Sequence, residues 1–375
     1  MLDLVEKFKN KFKISFSITG TALEQFSRFD PYVLELFKAL YKSGCVEFIA
    51  ESYYHSLAFL FSPAEFREQA EKHKKTITEI FGENPVTFRN TELVYSNTIA
   101  LEAKNMGFKN VLAEGADTIL QQLLNTGSAN SSNKKSLIKT LFGSKELAAD
   151  FVPPKLYYPK GLPDMNLLLR NYKLSDDIAF RFSRKKRKKY PLSAKKYVKQ
   201  LSDALSSNSY GGNKDGIINL FMDYETLGEH HSAETGIFSF FEELVSAIIE
   251  KTDMEFILPG EVSQKHKQFA EIDATENISW ADEERDLSAW TGNTMQKSAL
   301  NMIYKIEKKI KEIDNKDITD TWRKLQTSDH FYYMSTKGFS DGAIHKHFNY
   351  FATPYDAYIV YCNIVNDLYE TIKKL

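Results

Sequence analysis

The strongest constraint on the fold is a regular alternation of short apolar segments with amphipathic helices, which extends to about residue 258. The apolar segments are rich in β-branched and aromatic residues, a composition that predicts buried strands. Seven segments fit this description, namely residues 13–20, 45–50, 86–90, 110–115, 165–172, 217–224 and 254–258. Continuous apolar strands that alternate with helices are typical of a parallel sheet covered by helices. Because there are six or seven repeats, we predict a barrel rather than an open sheet.

The pattern changes after residue 265. The stretches 294–313 and 353–375 are long and amphipathic, with no apolar strand between them, which is typical of packed helices. We therefore predict a barrel over residues 1–265 and a C-terminal helical bundle over residues 266–375 that packs on it.

The charge of the chain is balanced, with 49 basic and 50 acidic residues and a formal net charge of -1. This balance gives no overall attraction to nucleic acid or to a membrane surface, so we expect neither as a partner. Two stretches depart from the average composition. Residues 121–150 are rich in Ser, Asn and Gly and are predicted to be an inserted loop, and the basic run at 181–189 is predicted to be solvated. The sequence assigns no function to either stretch and does not indicate an oligomeric state.

No apolar run reaches the roughly 20 residues of a membrane-spanning helix, and the N-terminal residues 1–13 are too charged for a secretory signal. We therefore expect a cytoplasmic protein. Cys45 and Cys362, the two cysteines, are expected to be free thiols, since a reducing compartment disfavours disulfides.

Polar side chains follow several predicted strands at the point where each strand ends. Glu51, Tyr54 and His55 follow the second strand, and Glu92 follows the third. Asp223 ends the sixth predicted strand, and Glu225, Glu229, His230 and His231 follow within eight residues. In a parallel barrel these ends meet at one rim, where active sites are built.

Glu92 and Asp223 are the natural pair of carboxylates at this rim. Two carboxylates on different strands suit glycoside cleavage, because one can donate a proton to the leaving oxygen while the other attacks the sugar or activates water. From the residues alone a structural role stays open, in which either carboxylate caps a helix or pairs with Arg89.

A metal site is the competing interpretation of the titratable cluster. A catalytic zinc commonly binds two histidines one helical turn apart, whereas His230 and His231 are adjacent and no two of the eight histidines are four residues apart. A metal-dependent carbohydrate deacetylase is therefore a less favoured alternative. We expect no metal and no cofactor.

Several segments resemble those of glycoside hydrolase family 57. The similar stretches cover nearly the whole chain in the right order: GCVEFIAESYYHSL (44–57), FRNTELVYS (88–96), LSDDIAFRFS (174–183), FMDYETLGEH (221–230), LQTSDHFYYM (325–334) and TPYDAYIVYCNIV (353–365). The resemblance implies an incomplete (β/α)7 barrel, with the C-terminal helical region completing the substrate cleft.

The resemblance also implies roles for individual residues. Glu92 matches the family nucleophile and Asp223 the general acid/base. The positions expected to line the sugar subsites or to tune the acid are Glu47, Tyr54, His55, Glu225, His230, Asp329 and His330. The implied activity is that of a retaining hydrolase of α-1,4-glucans, of the α-amylase type, with an α-glucan as the partner and no cofactor.

The sequence departs from the family pattern at its start. The strand that ends in His-Gln-Pro, whose histidine contacts the sugar, has no counterpart in the sequence, so the barrel is expected to lack its first strand. Leu227 also replaces a usual phenylalanine. The missing strand motivates one alternative to the hydrolase, a catalytically impaired relative that binds α-glucan. The resemblance also leaves open a 4-α-glucanotransferase or a glucan branching enzyme of the same family, because the sequence does not indicate whether water or a sugar accepts the glycosyl group.

Overall fold

In the computed structural model, the chain is described over residues 1–125, 152–185, 192–206, 216–337 and 349–375. The predicted insertion at 121–150 therefore lies outside the described residues from position 126 onward, and the basic run at 181–189 lies outside them from position 186 onward.

Seven strands in these ranges form the centre of the fold: β1 (Ile14–Ser17), β2 (Val46–Ile49), β3 (Thr87–Arg89), β4 (Asn110–Glu114), β5 (Leu156–Pro159), β6 (Asn166–Arg170) and β7 (Gln268–Ile272). Strands β2, β4 and β6 are buried at every residue, because helices cover their outer faces and an inner apolar cluster covers their inner faces.

The strands form two hydrogen-bonded groups. Strand β1 pairs with β2, and the second group has the order β3-β4-β6-β5-β7. Neighbours are parallel except β5 with β6. A bridge between Ala50 and Phe88 joins the two groups. The predicted α/β fold is confirmed, and its strands are mostly parallel. Among the described residues no ladder connects β1 to β7, so the ring of strands is incomplete.

Two strand predictions were wrong. Residues 217–223 and 254–258 form no ladder, and Tyr224 belongs to a short 3-10 turn. The main-chain groups of the first segment bond to side chains as well as to the backbone, as Phe221 does with Ser175 and Arg170. One parallel bridge, from Asn219 to Arg170, is what joins this segment to β6.

Strands β5 and β7 were not predicted. Strand β5 ends in a proline, which normally argues against a strand, and β7 alternates between exposed and partly buried residues instead of forming an apolar run. Because β7 follows residue 265, the expectation of a tail without strands was wrong at this point.

Sixteen α-helices occur in the described ranges. Those before β5 are α1 (Leu2–Lys7), α2 (Gly20–Phe29), α3 (Pro31–Lys42), α4 (Pro63–Phe81), α5 (Asn97–Asn105) and α6 (Asp117–Asn125). Between β6 and β7 lie α7 (Tyr172–Ala179), α8 (Ala194–Ser206), α9 (Ile237–Lys251) and α10 (Val262–Lys265). The C-terminal region contains α11 (Ser288–Thr291), α12 (Thr294–Lys305), α13 (Glu307–Ile313), α14 (Lys316–Lys324), α15 (Ser328–Tyr332) and α16 (Pro354–Lys373).

The C-terminal helices share one hydrophobic core with the outer faces of β3, β4 and β6. Trp290, Trp322 and Phe331 pack in the same cluster as Phe88 and Val111. A smaller cluster fills the space enclosed by the strands and includes Ile49, Leu112, Leu168 and Ile217. The site described below lies where this inner cluster ends.

Both cysteines are free thiols, and Cys45 is buried. Across the described parts of the chain, none of the helices has the length and the apolar composition needed to cross a membrane.

Candidate active site

Glu92 lies in a tight turn directly after β3. Its backbone has φ +56°, and that of the next residue, Leu93, has φ +51°. Residues other than glycine adopt this conformation at a cost and mainly where the surroundings enforce it. Here the surroundings are the segment 278–280. Tyr95 and Ile278 exchange main-chain hydrogen bonds of 2.9 Å, and the hydroxyl of Ser279 donates to the carbonyl of Glu92 at 2.8 Å.

The carboxylate of Glu92 has a donor on each oxygen. The Nε2 of His55 lies 3.0 Å from Oε1, and the indole Nε1 of Trp280 donates to Oε2 at 2.6 Å. Burial alone would raise the pKa of Glu92. The hydrogen bonds of His55 and Trp280, together with the charges of His55 and Arg89, outweigh burial and hold the pKa below its usual value. The group is therefore an oriented anion, as a nucleophile requires.

His55 joins this carboxylate to a second one. Its Nδ1 lies 3.2 Å from Oε2 of Glu51, and Arg89 lies 3.6 Å from the same oxygen. Burial would lower the pKa of His55, but the bonds to Glu51 and Glu92 raise it to about 10. Burial would raise the pKa of Glu51, but His55 and Arg89 lower it to about 2. The ring is thus a cation between two anions.

Asp223 ends the extended segment that follows the bridge to β6. Arg170, which is 3% exposed, fixes this segment because its Nε donates to the carbonyl of Phe221 at 2.7 Å. The same guanidinium forms ion pairs with Glu114 at 3.0 Å and with Asp176 at 2.6 Å. One buried cation therefore anchors the main chain two residues before Asp223.

The pKa of Asp223 is shifted in the opposite direction from that of Glu92. Burial raises it to about 6, and the negative charges of Glu92 and Glu225 add to this effect, while Arg89 and His230 oppose it. A carboxyl group with such a pKa keeps its proton in mildly acidic solution and can act as an acid. The charges of Glu225 and His230 thus act on Asp223.

Asp329 and His330 lie at the start of α15. Part of Asp329 is exposed, but the protein atoms around its carboxyl group exclude water and raise its pKa. The charge of Glu92 also raises this pKa, and His55 opposes the shift. Asp329 therefore lies on the Glu92 side of the site. His330 faces away from Glu92, since its Nε2 bonds to the carbonyl of Lys324 at 3.2 Å and its ring packs against Tyr361.

Tyr54 and Glu47 are not brought to the two carboxylates. The ring of Tyr54 has no exposed surface, and its hydroxyl donates to Asp320 at 2.5 Å. Glu47 accepts from the hydroxyl of Thr87 and from the backbone N–H of Gly260. It is the end of a chain of buried polar contacts across the strands, through Thr87, Asn110, Asn166 and Gln268.

Sequence reasoning missed Trp280, Arg170 and the partnership of Glu51 with His55. Two guanidiniums lie over the ring of Trp280, that of Arg89 at 4.9 Å and that of Arg170 at 5.6 Å from the ring centroid. No motif pointed to it, although it is one of only three tryptophans. Glu51 lies just after β2, which is a signal for a site residue. Its neighbours Tyr54 and His55 share this signal, so the sequence did not single out Glu51.

The adjacent histidines are held apart. His231 is pinned by contacts to Ser183 and to the carbonyl of Ile178, whereas His230 stacks near Phe180. In the part of the chain that the structure describes, no group of three or more His, Cys, Asp or Glu side chains could hold a metal ion.

A family model described as "Glycosyl hydrolase family 57" matches residues 2–275. A curated protein of Methanocaldococcus jannaschii named "Putative alpha-amylase" is 42% identical over 387 residues, which covers 100% of this chain and 74% of that protein.

Two solved structures share the fold. A 4-α-glucanotransferase from Thermococcus litoralis has a TM-score of 0.63 at 15% identity, over 88% of this chain and 51% of its own. The α-amylase AmyC from Thermotoga maritima has a TM-score of 0.62 at 11% identity, over 99% of this chain and 86% of its own. The chain therefore spans about half the length of the glucanotransferase. The resemblance predicted from the motifs is confirmed, and the chain belongs to glycosyl hydrolase family 57.

Proposed function

We propose that the chain is a retaining glycosidase that hydrolyses α-1,4-glucans, with Glu92 as nucleophile and Asp223 as general acid/base. The observation that carries this proposal is the opposite tuning of the two carboxylates. Glu92 is an anion with a donor on each oxygen, and Asp223 has a pKa of about 6 because of burial and the charge of Glu92. Carboxyl groups whose surroundings push their pKa values apart serve as base or nucleophile and as acid.

The reaction has two displacements. In the first, a Glu92 oxygen bonds to the anomeric carbon, the glycosidic bond breaks, and the proton of Asp223 passes to the leaving oxygen. In the second, Asp223 removes a proton from water, the water oxygen bonds to the anomeric carbon, and Glu92 leaves as a carboxylate. The α configuration is retained because it is inverted twice.

The relatives support the choice of substrate. The 42% identical protein carries the name "Putative alpha-amylase". If a second sugar replaces water in the second step, the same residues perform glucan transfer, the reaction of a 4-α-glucanotransferase or a branching enzyme. A non-catalytic α-glucan-binding relative would have no need for the opposite pKa shifts. The cytoplasmic location stays a prediction.

The test is incubation of the protein with maltoheptaose, followed by ¹H NMR at early times. We expect α-anomeric reducing ends to appear first, and no products with Glu92→Gln. Longer oligosaccharides alongside the shorter ones would indicate transfer instead of hydrolysis. Initial formation of β-anomers, or an unchanged rate in Glu92→Gln, would contradict the proposed mechanism.

A further inference from the structure

Glu51 lies behind the proposed nucleophile and takes no direct part in the two displacements. Its side chain has no exposed surface. One oxygen accepts from the hydroxyl of Ser17 at 2.7 Å, and the other faces His55 at 3.2 Å and Arg89 at 3.6 Å. A carboxylate enclosed in this way needs compensating charge, which these two neighbours supply.

The contacts of His55 define its protonation state. Its Nδ1 faces Glu51 and its Nε2 faces Glu92. A carboxylate oxygen only accepts, so both ring nitrogens must carry a proton and the ring is an imidazolium. The backbone of His55, with φ +52°, is held by 2.9 Å bonds from His55 N to Ser52 O and from Ser328 N to His55 O.

Other charged and titratable groups face this pair from every neighbouring element: Arg89 on β3, His73 on α4, Glu92 in the turn after β3 and Asp329 on α15. His73 accepts from the backbone N–H of Glu51 at 3.1 Å and donates to the carbonyl of Ile18 at 2.7 Å. His73 is therefore neutral. The cations that contact Glu51 are His55 and Arg89.

We propose that Glu51 is a positioning residue whose charge keeps His55 protonated while Glu92 loses and regains its own charge. The inference rests on the proposed function. When Glu92 bonds to the anomeric carbon and the leaving group departs with the proton of Asp223, Glu92 becomes an uncharged ester. Among the described residues that hydrogen-bond to the ring, Glu51 is then the remaining anion. When the ester bond breaks, the electron pair returns to Glu92 beside a cation already in place.

The variant Glu51→Gln keeps the shape of the side chain and removes its charge. The ring of His55 then needs a proton only on Nε2, because its Nδ1 can accept from the glutamine amide. We expect the ring to lose its second proton at a much lower pH. We also expect the glycosyl-enzyme to break down about 10- to 100-fold more slowly, as is typical when a hydrogen bond to a charged group is lost.

The first experiment is an NMR titration of the full chain labelled with ¹³C- and ¹⁵N-histidine, between about pH 5 and pH 9, where an ordinary histidine titrates. His55 should stay doubly protonated in the wild-type protein and should titrate in Glu51→Gln. The matched control Ser17→Ala removes a hydrogen bond from the same carboxylate but no charge, and should behave like the wild type. A wild-type His55 that titrates normally overturns the inference, even if the glutamine variant fails to fold.

The second experiment measures the glycosyl-enzyme by rapid quench and mass spectrometry with α-maltosyl fluoride. The intermediate should accumulate in Glu51→Gln, and Glu51→Asp should restore most of the breakdown rate because it keeps the charge. If the glycosyl-enzyme breaks down equally slowly in Glu51→Gln and Glu51→Asp, the shape of the side chain and not its charge is what matters. That result would overturn the inference. If the chain cleaves no glucan at all, the proposed function fails, while the titration still decides whether Glu51 controls His55.

Discussion

The two carboxylates of the site are supported in opposite ways. Glu92 follows a strand directly, and both its carboxylate oxygens are bonded to side chains from other segments, His55 and Trp280. Asp223 ends a segment that forms no ladder, and the residues after it, Tyr224 and Glu225, are exposed.

This difference matches the roles that we propose for the two groups. A nucleophile bonds to one carbon and gains from fixed geometry. A general acid/base serves two oxygens in turn, that of the leaving group and that of the incoming water. The larger number of hydrogen bonds therefore supports Glu92, the group that we propose as the nucleophile.

Replacing either carboxylate by its amide should give the largest effects and should separate the two roles. Glu92→Gln should lose roughly 10⁴-fold or more in kcat/KM on both maltoheptaose and α-maltosyl fluoride. Asp223→Asn should lose a similar factor on maltoheptaose but far less on the fluoride, because fluoride leaves without a proton. Initial rates on the two substrates measure this. An equal loss on both substrates for Asp223→Asn would show that it is not the acid.

The anchor of the Asp223 segment should give the next largest effect. Arg170→Lys cannot keep both ion pairs and the bond to the carbonyl of Phe221, so we expect kcat to fall by about 10- to 100-fold and the protein to lose stability. The control is Arg285→Lys, which loses a 2.9 Å contact to the same Glu114 without touching the Asp223 segment. The measurements are the kcat and the thermal unfolding temperature of both variants, and we expect the larger loss of kcat in Arg170→Lys. If both variants lose activity equally, the anchor is not specific to Asp223.

Most of the fold could be predicted because buried strands have recognisable apolar sequences. Strands β2, β4 and β6 are buried on both faces and read as continuous apolar runs. The wrong strand predictions have a common cause. Whether an apolar segment forms a strand depends on which groups bond to its main chain, and the local sequence does not specify those groups. Residues 217–224 are as apolar as β6, but the side chains of Arg170 and Ser175 take main-chain bonds that a ladder would use.

The candidate site was predictable where residues follow segments that were predicted as strands. Glu92 and His55 follow β3 and β2, whereas Asp223 follows residues that were predicted as a strand but form no ladder. The motifs that resemble the family point to all three residues. Trp280 reaches Glu92 from 188 positions away in sequence, and no local pattern encodes such a contact. Conversely, Tyr54 follows its strand as closely as His55 does, yet its side chain turns to Asp320.

A smaller effect should follow from weakening the support of Glu92. Trp280→Phe removes a hydrogen bond that lowers the pKa of Glu92, so that pKa should rise. Because Glu92 must be ionised to attack, the acidic limb of the kcat/KM profile should move to higher pH, with a loss of about tenfold at the optimum. Trp290→Phe is the control, since Trp290 is buried in the C-terminal core. An acidic limb that stays in place would mean that Trp280 does not tune Glu92.

The smallest effect should come from the exposed neighbour of Asp223. The charge of Glu225 helps to raise the pKa of Asp223 to about 6, after burial and Glu92. Asp223 must be protonated to act as an acid, so kcat/KM should fall above that pH, and Glu225→Gln should move this alkaline limb to lower pH. We expect a shift of roughly 0.2 to 0.7 pH units, because exposed charges interact weakly. Glu229→Gln, also exposed, should leave the limb unmoved. A shift to higher pH in Glu225→Gln would mean that the alkaline limb does not report on Asp223.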